Sequence, residues 1–182
     1  ENAVFGGAAA LANTTGTGLT GAGYTALRFN TTGNYNTAIG DAALYSNTTA
    51  DDNVAVGYQA LYANTTGGNL TAVGKGALIA NTTANDNTGI GLRALGANTT
   101  GASNSALGRD SLLANTTGAS NTALGTFALN SNTTASNNTA VGYQALQDNT
   151  TGDENNALGG GALGNNTTGL DNDAVGYHAI FD

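Results

Sequence analysis

The sequence predicts an all-β protein, a parallel β-solenoid (β-roll) of eleven 17-residue coils, and three observations carry that prediction. Asn-Thr-Thr occurs ten times, at Asn13, Asn30, Asn47, Asn64, Asn81, Asn98, Asn115, Asn132, Asn149 and Asn166, and every interval is seventeen residues. Glycine recurs with the same interval at Gly6, Gly23, Gly40, Gly57, Gly74, Gly91, Gly108, Gly125, Gly142, Gly159 and Gly176. The composition, with 28 glycines and no proline, methionine, tryptophan or cysteine, does not suit an ordinary mixed core. An interval that never slips marks one structural unit stacked on itself without insertion. The chain therefore reads as a single array, a partial unit over residues 1–12 followed by ten units over 13–182. Because no polar cap closes either end, it is expected to be a segment of a longer fibre.

Within one unit, positions are numbered as columns from the Asn of Asn-Thr-Thr, and the unit 132–148 reads NTTASNNTAVGYQALQD. Column ten is aliphatic in most units (Ile39, Val56, Val73, Ile90, Leu107, Leu124, Val141, Leu158, Val175), and column fifteen is leucine from Leu27 to Leu163 with Ile180 last. These two ladders are the expected core. Columns nine and fourteen are mostly alanine, and a small residue beside a large one alternates faces on a strand. Two short strands per unit are predicted, near columns seven to ten and thirteen to seventeen, with tight turns at column eleven and at columns three to six. The invariant glycine of column eleven is expected where the backbone needs positive φ or passes too close to a neighbour for a Cβ. One unit cannot fold alone; its stability must come from its neighbours. Stacking in register places each column above itself at about 4.8 Å, a rod on the order of 50 Å long. Identical side chains then form ladders. Column one is an asparagine ladder, and column seven is a second one that Leu19 and Leu70 interrupt.

Composition also restricts partners. The net charge is -8, with only four basic residues, Arg28, Lys75, Arg93 and Arg109. Nucleic acid is a poor partner for such a surface. No apolar run approaches the roughly 20 residues of a membrane helix, and no membrane insertion is expected. With no cysteine and a lone histidine, His178, nothing supports a nucleophile, a metal centre or a cofactor, and no enzyme activity is expected.

The stretch Asn138-Thr-Ala-Val-Gly-Tyr-Gln-Ala-Leu146 resembles the head repeats of YadA-like trimeric autotransporter adhesins, and more closely the NTAVGYQAL-type repeats of phage-type tail-fibre proteins. The likeness covers essentially the whole chain, although the adhesin head repeat is commonly shorter. The resemblance implies a left-handed roll, three chains packed side by side as a homotrimer, and display outside a cell or on a virion; the uncapped ends make an end-to-end fibre the alternative mode of self-association. Surface glycans or a host receptor are the partners it suggests.

Several surface chemistries fit the columns. Each Asn-Thr-Thr is formally an N-glycosylation acceptor, and Asn69-Leu-Thr71, Asn137-Asn-Thr139 and Asn165-Asn-Thr167 add three more. The sequon tolerates almost any middle residue, yet threonine fills that position in all ten copies, so the stack itself constrains it. Sugars on every coil would also crowd at about 4.8 Å. The threonine columns beginning at Thr14 and Thr15 could form the outward array of an ice binder. The acids of column six (Glu1, Asp52, Asp86, Glu154, Asp171) do not recur regularly enough for a calcium ladder; they are read as solvated loop charge, with an isolated ion near Asp51, Asp52 and Asp86 as the alternative. Tyr24, Tyr58, Tyr143 and Tyr177 share column twelve, where they are expected to cover the edge of the core, a sugar-stacking strip being the other reading. The function expected is a structural or adhesive segment of an extracellular fibre. A glycan-coated fibril and an ice-binding solenoid are the alternatives.

Overall fold

The protein is described from a computed structural model over residues 1–180; the last two residues of the array, 181 and 182, lie outside the described residues. Eleven three-residue strands stack in one parallel sheet in sequence order: β1 (Ala3–Phe5), β2 (Thr20–Ala22), β3 (Thr37–Ile39), β4 (Val54–Val56), β5 (Thr71–Val73), β6 (Thr88–Ile90), β7 (Ser105–Leu107), β8 (Thr122–Leu124), β9 (Thr139–Val141), β10 (Asn156–Leu158) and β11 (Asp173–Val175). Every neighbouring pair is seventeen residues apart, as in Thr37 beside Val54 and Ile39 beside Val56. This is a parallel β-solenoid without helices among the described residues.

Each coil contains one strand, at columns eight to ten, rather than two. Columns twelve to seventeen are turns, because their backbone cannot stay extended: column fifteen lies at positive φ throughout and column thirteen from Ala42 onward, as at Leu61 (53°) and Gln59 (57°). The inter-coil ladder nevertheless continues through these turns. Leu44 N–H donates to the Ala60 carbonyl at 3.0 Å, Ala63 N–H to Ile79 at 3.1 Å, and Gln59 N–H to Asp41 at 3.0 Å. Backbone groups are thus paired to adjacent coils around the cross-section, which satisfies polar groups that a compact interior would otherwise strand.

The core differs from the sequence reading at one column. Side chains do alternate along each strand, but the alanine of column nine points inward and the aliphatic residue of column ten points out. Ala38, Ala55, Ala72 and Ala140 are fully buried, whereas Ile39, Leu107 and Leu158 are 43%, 46% and 50% exposed. The interior is narrow. It is filled by the alanines of columns nine and fourteen, the leucines of column fifteen and the two asparagine columns, which leaves no width for a row of larger residues at column nine. Gly89 makes the same point: even a Cβ at that position of column nine would lie 3.1 Å from the Ala94 carbonyl oxygen and 3.3 Å from the Leu78 Cγ.

The column-fifteen leucines are buried at left-handed φ, as in Leu44 (49°), Leu78 (51°) and Leu112 (48°). That conformation costs an L-residue about 1–2 kcal/mol, while burying a leucine contributes about 1.5–3 kcal/mol. The apolar burial is what holds the backbone in this conformation.

Candidate functional site

Ladder bonds make up most of the side-chain hydrogen bonds among the described residues. In column one, Asn98 Nδ2 donates to Asn81 Oδ1 at 3.1 Å and to the Gly101 carbonyl at 2.9 Å, and Asn115 Nδ2 donates to Asn98 Oδ1 at 2.8 Å. The same links run unbroken from Asn166 down to Asn13. The eight inner members, Asn30 to Asn149, are fully buried. Both Nδ2 hydrogens of each are spoken for, and no space adjoins the nitrogen that a sugar would occupy. Asn69, Asn137 and Asn165, from the additional sequons, are exposed instead.

Column seven uses its amide differently. Asn53 Oδ1 accepts the backbone N–H of Leu70 at 3.0 Å, and Asn53 Nδ2 reaches the Gly67 carbonyl at 3.1 Å. Leu19 and Leu70 take this column's place in the core at 1% and 0% exposure, and Asn36 and Asn87 in the following coils lack an Oδ1 beneath them. The column-four carbonyls join both ladders: Ala50 O accepts from Asn47 and from Asn36 of the preceding coil, at 3.2 and 2.7 Å.

The two threonines of Asn-Thr-Thr have separate placements. The second-column hydroxyl donates to the backbone of the next coil, as in Thr31 Oγ1 to the Thr48 carbonyl at 2.9 Å. The third-column threonines are exposed in every coil. A paired outward threonine array at columns two and three is therefore reduced to one free row, the first hydroxyl being committed to the stack.

The column-eleven glycines have φ between 130° and 154°. A Cβ on Gly57 would lie 2.6 Å from the Gly74 carbonyl oxygen, and the same collision repeats along the rod as far as Gly159. Close approach and φ both require glycine here. Gly76 and Gly161, at column thirteen, answer instead to the left-handed turn.

Column six is left-handed in every coil from Gly18 onward, for example Asp52 (59°), Asn137 (60°) and Asp171 (57°). Asn, Asp and Gly tolerate this region best, which explains the column's composition by turn geometry. No cluster of three His, Cys, Asp or Glu that could hold a metal ion occurs among the described residues. A hydrogen bond to Asp171, together with that residue's charge, raises the Glu154 carboxyl above its ordinary range, and Asp153 adds to the effect.

Two features escaped the sequence reading. Asp110 is 1% exposed and lies against Arg93 Nε and Nη2 at 2.8 and 3.1 Å and Arg109 Nε at 3.1 Å. The available signal was an Arg and an Asp one repeat apart in the same column. The tyrosines of column twelve do not cover the core edge: Tyr24 and Tyr177 are 66% and 82% exposed. Their rings lie beside Gly7 and Gly160 of the preceding coil, with contact distances of 3.4 and 3.5 Å from the position a Cβ would take. On the neighbouring turn Tyr45 and Tyr62 stack at 4.9 Å with an interplanar angle of 8°, and Phe29 packs edge-on at 5.1 Å. No family model matches the chain, and no curated protein or solved structure matches it.

Proposed function

We propose that the protein is a non-enzymatic structural rod, a segment of an extracellular or virion-surface fibre that holds its surroundings at a fixed spacing. The observation that supports this most strongly is the buried column-one ladder, nine amide-to-amide bonds in one continuous line from Asn13 to Asn166. Side chains that could bind a ligand are instead spent on joining each coil to the next. A buried amide left without a partner costs about 1–3 kcal/mol, so separating any two coils is resisted at the ladder as well as by the backbone. This makes the rod stiff along its axis. The exposed row of column-three threonines and the tyrosines of column twelve form its outer surface, available for contact with a receptor or with glycans. Burial of Nδ2 in the inner Asn-Thr-Thr copies favours the ladder over the glycan-carrier reading.

Single-molecule pulling on the two ends tests the proposal. Coils are expected to detach one at a time, in contour steps of about 17 residues or roughly 58 Å, at a force that repeats from step to step. Smooth extension without a resisting plateau would remove load-bearing as the function.

A further inference from the structure

Charge is distributed unevenly around the cross-section. The chain carries -8 overall, yet all four of its basic residues fall on the turn of columns twelve to seventeen, and Lys75, Arg93 and Arg109 occupy three consecutive coils there. The one acid on that turn in those coils is Asp110. It is buried, and both Arg93 and Arg109 donate to it. The exposed charge of these three turns is therefore wholly positive, on a molecule whose net charge repels anions elsewhere.

A gap opens at the edge of this patch. Column thirteen is glycine at Gly76, between Gln59 and Arg93 in the flanking coils, and the missing side chain leaves a notch of about 340 Å³ lined by Gln59, Lys75, Gly76, Ile79, Leu92 and Arg93. A Cβ on Gly76 would lie 3.7 Å from the Arg93 Cγ, so the arginine stem forms one wall. That wall is fixed in place. Arg93 Nε and Nη2 are held by the buried Asp110 at 2.8 and 3.1 Å, while Nη1 has no partner among the described residues. Toward the earlier coil, the Lys75 ammonium lies 5.8 Å from the centre of the Tyr58 ring.

We propose that this notch binds a carboxylate-bearing sugar, a hexuronic acid unit of a surface polysaccharide. The lining answers each chemistry that such a ring presents. Ile79, Leu92 and the Arg93 stem take its apolar C–H face, the Gln59 amide donates to and accepts from its hydroxyls, and Lys75 with the uncommitted Arg93 nitrogen attracts its carboxylate. The volume is at the lower end for small-ligand sites, which suits one ring better than a peptide. A bare inorganic anion would leave the apolar lining uncovered, and a neutral sugar would leave the cations unused. A nucleic acid strand needs cations opposite successive phosphates. Here the positive run ends after three coils, about 10 Å, with Tyr58 and Asp41 before it in column twelve and Thr126 after it. The site stands on four neighbouring coils, and neither the length of the array nor its resistance to load enters into it.

Titration of the nitrogen-15-labelled chain with glucuronate, followed by backbone amide shifts, tests the site. Saturable shifts are expected at Gly76, Leu92 and Arg93, with a Kd in the millimolar range that weakens as sodium chloride is raised. Glucose and acetate, which each carry part of the recognised chemistry, are expected to bind at least about fivefold more weakly. Two variants use residues that the array already places in the same columns: Lys75→Leu copies Leu92, and Gly76→Gln copies Gln59, whose φ of 57° is close to the 65° of Gly76. Both are therefore expected to fold, with an unchanged far-ultraviolet spectrum. Lys75→Leu should weaken glucuronate about fivefold, and Gly76→Gln, which fills the notch, should abolish the shifts. If Gly76→Gln fails to fold, the comparison of ligands on the wild-type chain decides alone. No saturation at about 50 mM glucuronate, acetate or inorganic phosphate binding as tightly, glucose binding as tightly, tighter binding of oligothymidylate or polyglutamate, or a folded Gly76→Gln chain that binds unchanged would each overturn the proposal. None of these outcomes bears on whether a single rod resists load.

Discussion

Leucine at left-handed φ is the costliest local choice in this chain, and it recurs from Leu27 to Leu163. It is tolerated because each side chain enters the interior, where the leucines from Leu27 to Leu146 are fully buried. Some residues of column thirteen share the conformation without that compensation: Gln59, Arg93 and Gln144 lie at 57°, 54° and 57° with side chains outside the core. Glycine already occupies the position at Gly76 and Gly161. Gln144→Gly is therefore expected to stabilise the protein by about 0.5–1 kcal/mol, read as a higher midpoint in urea with an unchanged slope. A loss of stability would mean that Gln144 makes contacts worth more than the relief. At this scale the sequence is only partly informative. The column-eleven glycine announces its own constraint, but nothing in a leucine announces positive φ, because the conformation is imposed by burial in a coil that closes within seventeen residues.

The two asparagine ladders look alike in the sequence and differ as elements. Column one is asparagine without exception, and each amide bridges to the amide below and to its own turn. Column seven accepts leucine twice, because its side chain faces the apolar interior and the substitution fills the same space. Asn104→Leu removes the Oδ1 that accepts the Asn121 N–H, a loss Asn87 already bears above Leu70, and is thus expected to cost about 1 kcal/mol. Asn98→Leu is expected to cost about 2–4 kcal/mol, since it leaves the Asn81 Oδ1 and one Asn115 hydrogen without partners. Equal losses in thermal or chemical denaturation would refute the distinction. The strand itself was legible by its alternation, Thr139-Ala140-Val141 being typical, but which face it buried was not. Size pointed to the valine, whereas the limiting quantity was the width of the interior, which depends on where the turns place Leu146 and Asn138 across from it. The second strand failed for the same reason: alanine beside leucine fits an extended segment as readily as a pair of left-handed turns.

For the whole molecule, the repeat makes each coil an interchangeable part. Removing residues 115–131 should let Asn132 close on Asn98, and the ladders, sheet and turns should reform one coil shorter. The expected result is a folded protein whose denaturant slope falls by about a tenth, in proportion to the surface lost. Removing residues 115–130 instead shifts every later column by one and turns the strand faces inside out; that variant is expected to lose its cooperative transition. If both variants melt alike, the period is not what specifies the stack. The period, and with it the solenoid, could be read from the sequence because it is repeated ten times. The paired Arg93 and Asp110 occur once, and a single instance gives no column statistics.

All the column-one amides point the same way: nitrogen of the later coil to oxygen of the earlier one, from Asn166 to Asn13. Aligned dipoles in a hydrogen-bonded line add and polarise one another. Taken by itself this ladder is an electrical vector, positive toward the first coil and negative toward the last, and the column-two hydroxyls form a line of the opposite sense, as in Thr31 Oγ1 donating forward to the Thr48 carbonyl, so the rod carries two opposed lines of dipoles side by side.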